Sequence, residues 1–314
     1  MCGLTGFCDF NRHLTEEHLG KATDILKHRG PDSGNAVFFS TSQANIGLGH
    51  RRLSILDVSS NGNQPMYSDD KSVVIILNGE VYNFKEIRKD LIALGYSFHS
   101  DSDTEVIIKA YQQFGIDAVH KFIGMFAFAI YDIKKQIIFL LRDRAGIKPL
   151  YFFHKNDALL FASELKSIYT YPNFEKNINE QAVSLFFKYA YIRAPHTIFK
   201  HTYKVKPGHY IKIDVVRKTV EDIKYYDVLD YYNKPKLKIS EEEAATEVER
   251  LFTSAFQYRM VSDVPVGVFL SGGYDSGVVA AVLQANNTQR IKTFTIGFNE
   301  AKYNEAHHAK KMAE

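Results

Sequence analysis

The chain opens MCGLTGFCDF, Met1 to Phe10, and the reading of its second residue decides what the rest must supply. Removal of Met1 would leave Cys2 at the amino terminus, with a thiol of ordinary pKa ~8.5 beside an α-amine of ~7.7–8.0. Such an amine can take the proton from its own side chain, a self-contained pair of nucleophile and base. The same position also suits a cysteine that is only a small buried apolar residue. Cys8 has no such neighbour and reads as core packing.

The remaining composition narrows the partners. A length of 314 residues corresponds to about two domains. Lys and Arg number 39 against 36 Asp and Glu, and the resulting +3 is too small to make nucleic acid or an anionic membrane the main partner. Two cysteines cannot form a disulfide framework. No apolar run approaches the ~20 residues of a membrane-spanning helix, and the first residues lack the pattern of a signal peptide. A reducing, cytoplasmic setting is the expectation.

Working outward from Cys2, the first two-thirds of the chain alternates short β-type runs with helical patterns. SVVIILNGEVYN (72–83), MFAFAIYD (125–132), QIIFLLRD (136–143), PLYFF (149–153) and ALLFAS (158–163) are rich in Val, Ile, Phe and Tyr. Turn residues separate them closely, which predicts antiparallel sheets. NFKEIRKDLIALGY places Ile87, Leu91 and Leu94 on one helical face and stops at Gly95. SDTEVIIKAYQQFG opens with Ser102 and Glu105 at capping-box spacing. Sheets covered by helices make an α+β layered domain.

From about Tyr225 the texture changes. YYDVLDYYNKPKLKI (225–239) is polar, aromatic and Lys-rich, a connecting segment. Ser240 and Glu243 form a second capping box, followed by a helix with Ala245, Val248, Phe252, Ala255 and Phe256 on one face. VPVGVFL then reads as a buried parallel strand, SGVVAAVLQAN as a helix and IKTFTIGF as another strand. That succession begins a doubly wound sheet.

Between the strand and the helix lies SGGYDSG, Ser271 to Gly277. A glycine turn at a helix N-terminus offers several N–H groups and the positive end of the helix dipole to a phosphate. Gly272 and Gly273 let the backbone approach closely, Ser271 and Ser276 add hydroxyls, and Asp275 could orient the loop or help hold Mg²⁺. An ordinary capped crossover turn would carry the same residues. The string S-G-G-x-D-S after an apolar strand resembles the pyrophosphate loop of the N-type ATP pyrophosphatases.

A second resemblance joins the two ends. MCGLTGF, LKHRGPDSG, GHRRLSILDVSSNGNQPM, LNGEVYNF, SDTEVI, MFAFAIYD, RDRAGIKPLYF and FASELKSI occur in this order, followed by SGGYDSG and FTIGF. Together they resemble glutamine-hydrolysing asparagine synthetases, whose class II amidotransferase domain uses an N-terminal cysteine nucleophile. The resemblance implies an Ntn-hydrolase αββα sandwich over 1–225, a linker over 226–239 and, over 240–314, the first part of a doubly wound α/β domain of the adenine nucleotide alpha hydrolase type. It implies glutamine, ATP and Mg²⁺, with aspartate or another carboxylate as acceptor, and a homodimer or a partner chain completing the synthetase part.

Residue roles follow from the same resemblance. Cys2 is the nucleophile, with the Asn78 side chain and the Gly79 N–H as oxyanion donors. Arg52 resembles the clamp on the glutamine α-carboxylate, and Asp103 the partner of the α-ammonium. Glu80 and the backbone of Leu53, Ser54, Ile55 and Leu56 line the same pocket. On the ATP side Ser271, Gly272, Gly273, Asp275 and Ser276 match the pyrophosphate loop, with Leu270 and Ile296 beside adenine and ribose. Tyr274 and Gly277 stand where that loop often carries Leu and Ser or Thr.

Read without the resemblance, three of these residues have plainer explanations. Asn78-Gly79 is a strong hairpin-turn dipeptide, Asp103 suits the first turn of a helix, and Arg52 follows another arginine. HRGPDSG (28–34) reads as a glycine-rich loop over the glutamine pocket, with His28 holding its structure. From Ser240 only about 75 residues remain against ~100–150 for a usual domain. The rest of the synthetase domain is therefore expected to be lost, cut away or carried by another chain, leaving apolar surface to be covered. Other functions stay open: amidation of a sugar acid in surface-polysaccharide assembly, or a non-catalytic interaction module.

Overall fold

The computed structural model describes residues 1–155, 157–172 and 174–314, and the chain divides into two compact units, Met1–Lys234 and Pro235–Glu314. In the first unit the β-type runs form two antiparallel sheets. The first contains β1 (Gly3–Asp9), β2 (Ser33–Ser40), β3 (Asn45–Arg52), β8 (Tyr151–Lys155), β9 (Ala158–Ala162) and β10 (Thr202–Lys204), in the order β10-β8-β9-β1-β3-β2. The second contains β4 (Met66–Tyr67), β5 (Val73–Val81), β6 (Gly124–Asp132), β7 (Ile137–Arg142), β11 (His209–Asp214) and β12 (Thr219–Lys224), in the order β12-β11-β7-β6-β5-β4.

The period-two alternation of these strands builds the layers. Leu4 and Cys8 of β1 and Ile46 and Leu48 of β3 meet Val74 and Ile76 of β5, Ala127 and Ala129 of β6, and Leu140 of β7. This is the core between the sheets, and Cys8 sits in it as packing. Phe7, on the other side of β1, packs with Leu19 and Ala22 of α1 (Glu16–Asp24) and Ile168 of α4 (Leu165–Ile168). Outside the second sheet lie α2 (Phe84–Ala93) and α3 (Asp103–Phe114), the latter against β4 and β5. The order of layers is helix, sheet, sheet, helix. Because β5 is covered on both sides, VVIIL is apolar throughout rather than alternating.

Local expectations hold with instructive exceptions. Ile87 and Leu91 of α2 are buried, whereas Leu94 caps the helix and is exposed. Ser102 caps α3 by accepting Thr104 N–H at 3.1 Å. Glu105 does not complete a box with it; its carboxylate accepts the His99 and Ser100 N–H groups instead. The preceding loop turns back over the helix start and reaches Glu105 first. HRGPDSG is partly strand: Ser33 and Gly34 pair with Arg52 and Arg51. His28 bonds Glu164 at 3.0 Å, a structural role.

After α5 (Glu180–Tyr189) and α6 (Val228–Tyr232), the second unit begins with α7 (Glu241–Tyr258), whose capping box between Ser240 and Glu243 is formed in both directions. Strand β13 (Gly267–Phe269) runs into α8 (Tyr274–Ala285) and then into β14 (Lys292–Phe294), which is parallel to β13. A last helix, α9, covers Ala306–Ala313. The strand expected to be buried is open, Phe269 being 77% exposed. Two strands present only one neighbour each, and Val248, Leu251, Phe252 and Phe294 are exposed as well.

Candidate active site

Cys2 immediately precedes the central strand of the first sheet, so the sheet fixes its position. Leu4 N–H donates to Ser163 Oγ (3.1 Å) and Ser163 N–H to Leu4 O (2.9 Å). Arg29 Nε donates to the Cys2 carbonyl at 2.9 Å, while its Nη1 donates to Glu164 at 2.8 Å. Burial would push the Glu164 carboxyl up, but bonds from Arg29, His28 and Lys166 outweigh it and hold that group at about 2. The backbone of Cys2 is thus gripped before the strand begins.

The thiol itself lies against the next strand but one in sequence. Leu53 N–H donates to Cys2 Sγ (3.4 Å), and the thiol reaches Leu53 O (3.5 Å). Burial raises the thiol pKa, opposed by the Leu53 amide and the terminal amine. Burial lowers the pKa of the terminal amine on Met1, with Arg29 and Lys148 acting the same way. An amine that releases its proton more readily, beside a thiol that holds its own more tightly, suits a terminal amine acting as base.

A cavity of about 150 Å³ opens at this point. Met1 and Cys2 form one wall, Arg52, Leu53, Ile55 and Leu56 a second, and Asn78, Gly79, Glu80 and Asp103 a third. Ser54 is left out: its N–H bonds Asp32 Oδ2 at 2.7 Å, and its side chain does not line the cavity. Asn78-Gly79 is no hairpin turn, since both residues lie within β5 and pair with Ala127 and Phe126. Asn78 continues the inward parity of Val74 and Ile76. It has no solvent exposure, and among the described residues neither its Oδ1 nor its Nδ2 has a hydrogen-bond partner. A buried, unpaired amide is destabilising on its own, and this one borders the cavity. Gly79 has φ +150°, and a Cβ there would stand 2.1 Å from Met125 O.

Asp103 is buried as well, at the first position of α3. Its Oδ2 accepts Val81 N–H at 2.8 Å. Burial, with the neighbouring Glu80 carboxylate, pushes it up to about 7 against that bond and those of Thr104. A carboxyl so deprived of counter-charge would welcome an ammonium group. Arg52 lines the cavity too, with its outer nitrogens engaged by backbone and side-chain acceptors. Nη1 donates to Ser59 O (2.7 Å) and Asn63 Oδ1 (3.0 Å), and Nη2 to Leu56 O (3.2 Å) and Asp57 O. Both outer nitrogens hold the loop after β3, and Nε–H is the donor outside these four bonds.

Of the cavity residues that the sequence reading did not assign to the site, Gln64 and Lys148 carry polar side chains from distant turns. Gln64 bridges the strand and the helix: Leu77 N–H donates to its Oε1 (2.5 Å), and its Nε2 donates to Thr104 Oγ1 (3.1 Å). Lys148 is buried, with Nζ 3.6 Å from Met1 Sδ. Both fall within quoted stretches, NQPM and GIKPL, but nothing in the local pattern says that these side chains turn inward.

In the second unit Gly273 caps α8, and the loop is folded on itself. Ser271 Oγ and Ser276 Oγ are 2.9 Å apart, and Ser276 Oγ donates to Gly273 O. Leu270, Ser271 and Ile296 line one open depression with Phe294, Phe298 and Tyr303. The hydroxyls and the bare Gly272–Gly273 backbone at a helix N-terminus fit a phosphate chain. Asp275, in the first turn of α8, is a lone carboxylate; among the described residues no three metal-ligating side chains come together.

Residues 1–226 match the family model described as a glutamine amidotransferase domain. The chain belongs to that family. Residues 247–314 of this amidotransferase match the model described as asparagine synthase, so the resemblance in the motifs holds along both parts. A relative from Methanocaldococcus jannaschii is 38% identical over the whole chain, which covers 63% of its length. Asparagine synthetase [glutamine-hydrolyzing] 1 of Bacillus subtilis is 37% identical, again over the whole chain and 48% of its own length. The chain therefore spans about half to two-thirds of these relatives. The solved glutamine phosphoribosylpyrophosphate amidotransferase of B. subtilis aligns with a TM-score of 0.52 at 17% identity, covering 95% of this chain and 67% of that one. The αββα sandwich is the Ntn-hydrolase fold.

Proposed function

We propose that this amidotransferase hydrolyses glutamine at Cys2 and supplies ammonia for ATP-dependent conversion of aspartate to asparagine. The observation that carries the reading is the sharing of one cavity by the Cys2 thiol, the unpaired Asn78 amide and the buried Asp103 carboxyl. Once Met1 is removed, the Cys2 amine takes the thiol proton and sulfur attacks the glutamine side-chain carbonyl. Negative charge gathers on that oxygen, where Asn78 Nδ2–H and the Gly79 N–H donate. The proton passes to the leaving nitrogen, ammonia departs, and water hydrolyses the thioester to glutamate.

Asp103, with Glu80 beside it, receives the substrate ammonium, and Arg52 the carboxylate through Nε or after releasing its loop acceptors. Residues 1–225 form the glutaminase domain, 226–239 the linker, and 240–314 the start of a nucleotide-binding domain. There Ser271, Gly272, Gly273 and Ser276 hold the phosphates of ATP, and Asp275 assists Mg²⁺. Among the described residues no helix is long and apolar enough to cross a membrane.

The test is direct. Intact mass establishes loss of Met1, and glutamate release from glutamine is then measured for the natural sequence and for Cys2→Ala. Hydrolysis confined to the former supports the proposal; full hydrolysis by Cys2→Ala refutes it.

A further inference from the structure

RDRAGIKP, Arg142 to Pro149, forms the turn between β7 and β8, and its hydrogen bonds converge on one residue. The Asp143 carboxylate, itself buried, accepts the N–H groups of Ala145 (3.1 Å), Ile147 (2.9 Å) and Lys148 (2.9 Å). Arg142 Nε donates to Lys148 O at 2.8 Å, and its other nitrogens reach Gly146 O and Val205 O, each at 2.7 Å. Lys148 is therefore held on both sides of its own backbone. Its side chain enters the cavity, where Nζ approaches Met1 Sδ, and among the described residues it has no carboxylate at salt-bridge distance. A buried ammonium without an ion-pair partner is destabilising, yet a whole turn is built to keep it in place.

We infer that Lys148 is a positioning residue that sets, by its fixed positive charge, the protonation of the terminal amine and thiol of Cys2. The inference rests on the glutaminase reading for its purpose, though not for its chemistry. A second positive charge beside Lys148 is disfavoured, so the amine loses its proton more readily; the same charge favours the thiolate. Other charged groups facing this junction are Arg29 from the turn after α1, Asp32 before β2, Arg52 at the end of β3, Glu80 on β5 and Asp103 on α3. Arg29 acts in the same sense but is paired with Glu164, and the carboxylates act in the opposite sense. Arg52 also has no carboxylate at salt-bridge distance among the described residues, but its outer nitrogens are engaged by the loop after β3, whereas the Lys148 ammonium enters the cavity beside Met1. Burial lowers its own pKa, opposed by Glu80 and Cys2.

The experiment compares the natural chain, Lys148→Met and Lys148→Arg, each with Met1 shown by intact mass to be absent. The rate at which iodoacetamide alkylates Cys2 is followed from about pH 5 to about pH 9, which brackets ordinary amine and thiol values. Buried Cys8, held up at about 12, serves as the unreactive control. Loss of charge in Lys148→Met should move the acidic limb upward by about one pH unit or more, the effect of one close charge. Lys148→Arg should retain the natural limb. An unchanged midpoint in Lys148→Met, with or without a uniform loss of rate, overturns the inference. If Lys148→Met does not fold, Lys148→Gln carries the same comparison under the same criterion. Glutamate release is read in parallel: its absence from the natural chain counts against the glutaminase reading, while the alkylation profile still decides the role of Lys148.

Discussion

Asp103 Oδ2 accepts the backbone N–H of Val81 at 2.8 Å, tying the first residue of α3 to the strand that carries Asn78 and Gly79. The bond holds a poorly solvated carboxyl close to the nucleophile, and its energetic consequence depends on pH. The ordinary value of 3.8 is raised to about 7 by burial first and by Glu80 in addition. The folded protein therefore binds this proton more tightly than the unfolded chain does. Stability from the protonated form is complete below about pH 4, declines as pH rises, and is gone above about pH 7. Asp103→Asn should remove that decline. The melting temperature of the variant minus that of the natural chain should increase by about 4 °C or more across this window. A constant difference at every pH would show that Asp103 does not titrate there.

Asn78 should separate stability from activity. An unpaired buried amide is destabilising by about 1–3 kcal/mol, and both polar atoms of Asn78 are in that condition. Asn78→Leu, close in size and apolar, should melt at or above the natural temperature. Glutamate release should nevertheless fall by roughly 10²–10³-fold, the effect of losing one oxyanion donor. A variant that melts well below the natural chain would make Asn78 a structural residue.

Gly79 should tolerate no side chain. Its φ of +150° is strained for any other residue, and the nearest obstacles to a Cβ are the backbone atoms Met125 O at 2.1 Å and Phe126 Cα at 2.5 Å. Neither can swing aside while β5 and β6 stay paired. Gly79→Ala should destabilise the fold by about 3 kcal/mol or more, read by urea denaturation. Near-natural stability would mean that the two strands separate easily at this point.

Arg52→Lys keeps the charge and loses the planar fork. The acceptors on Leu56, Asp57, Ser59 and Asn63 can then no longer be held together. Limited proteolysis should find new cleavage within residues 56–63. The KM for glutamine should rise by about tenfold or more with kcat affected less, the pattern of lost ground-state binding. Equal losses in both constants would assign Arg52 to the chemical step instead.

Much of the architecture was legible in the sequence because strands of this sandwich are either alternating or covered on both faces, and their apolar runs are bounded by turns. The exceptions arise where distant parts of the chain decide the outcome. Asn78-Gly79 carries a turn signal, but α3 and the first sheet enclose it, and pairing with β6 extends the strand through it. Glu105 has capping-box spacing from Ser102, yet His99 and Ser100 present their N–H groups first. Arg52 suits a carboxylate clamp by residue type, whereas its donors are engaged by a loop whose path no local pattern reveals. Lys148 is the extreme case: the residue lining the cavity beside Met1 is separated from it by almost half the sequence.

The grip of Arg29 on the Cys2 carbonyl bears on how this protein should be produced. With Gly3 already committed to a buried strand, any polypeptide fused ahead of Met1 would begin beside the mouth of the cavity that Met1 lines. An amino-terminal affinity tag would both obstruct that doorway and withhold the free amine, yielding a well-folded and inert preparation. Purification handles belong at the other end.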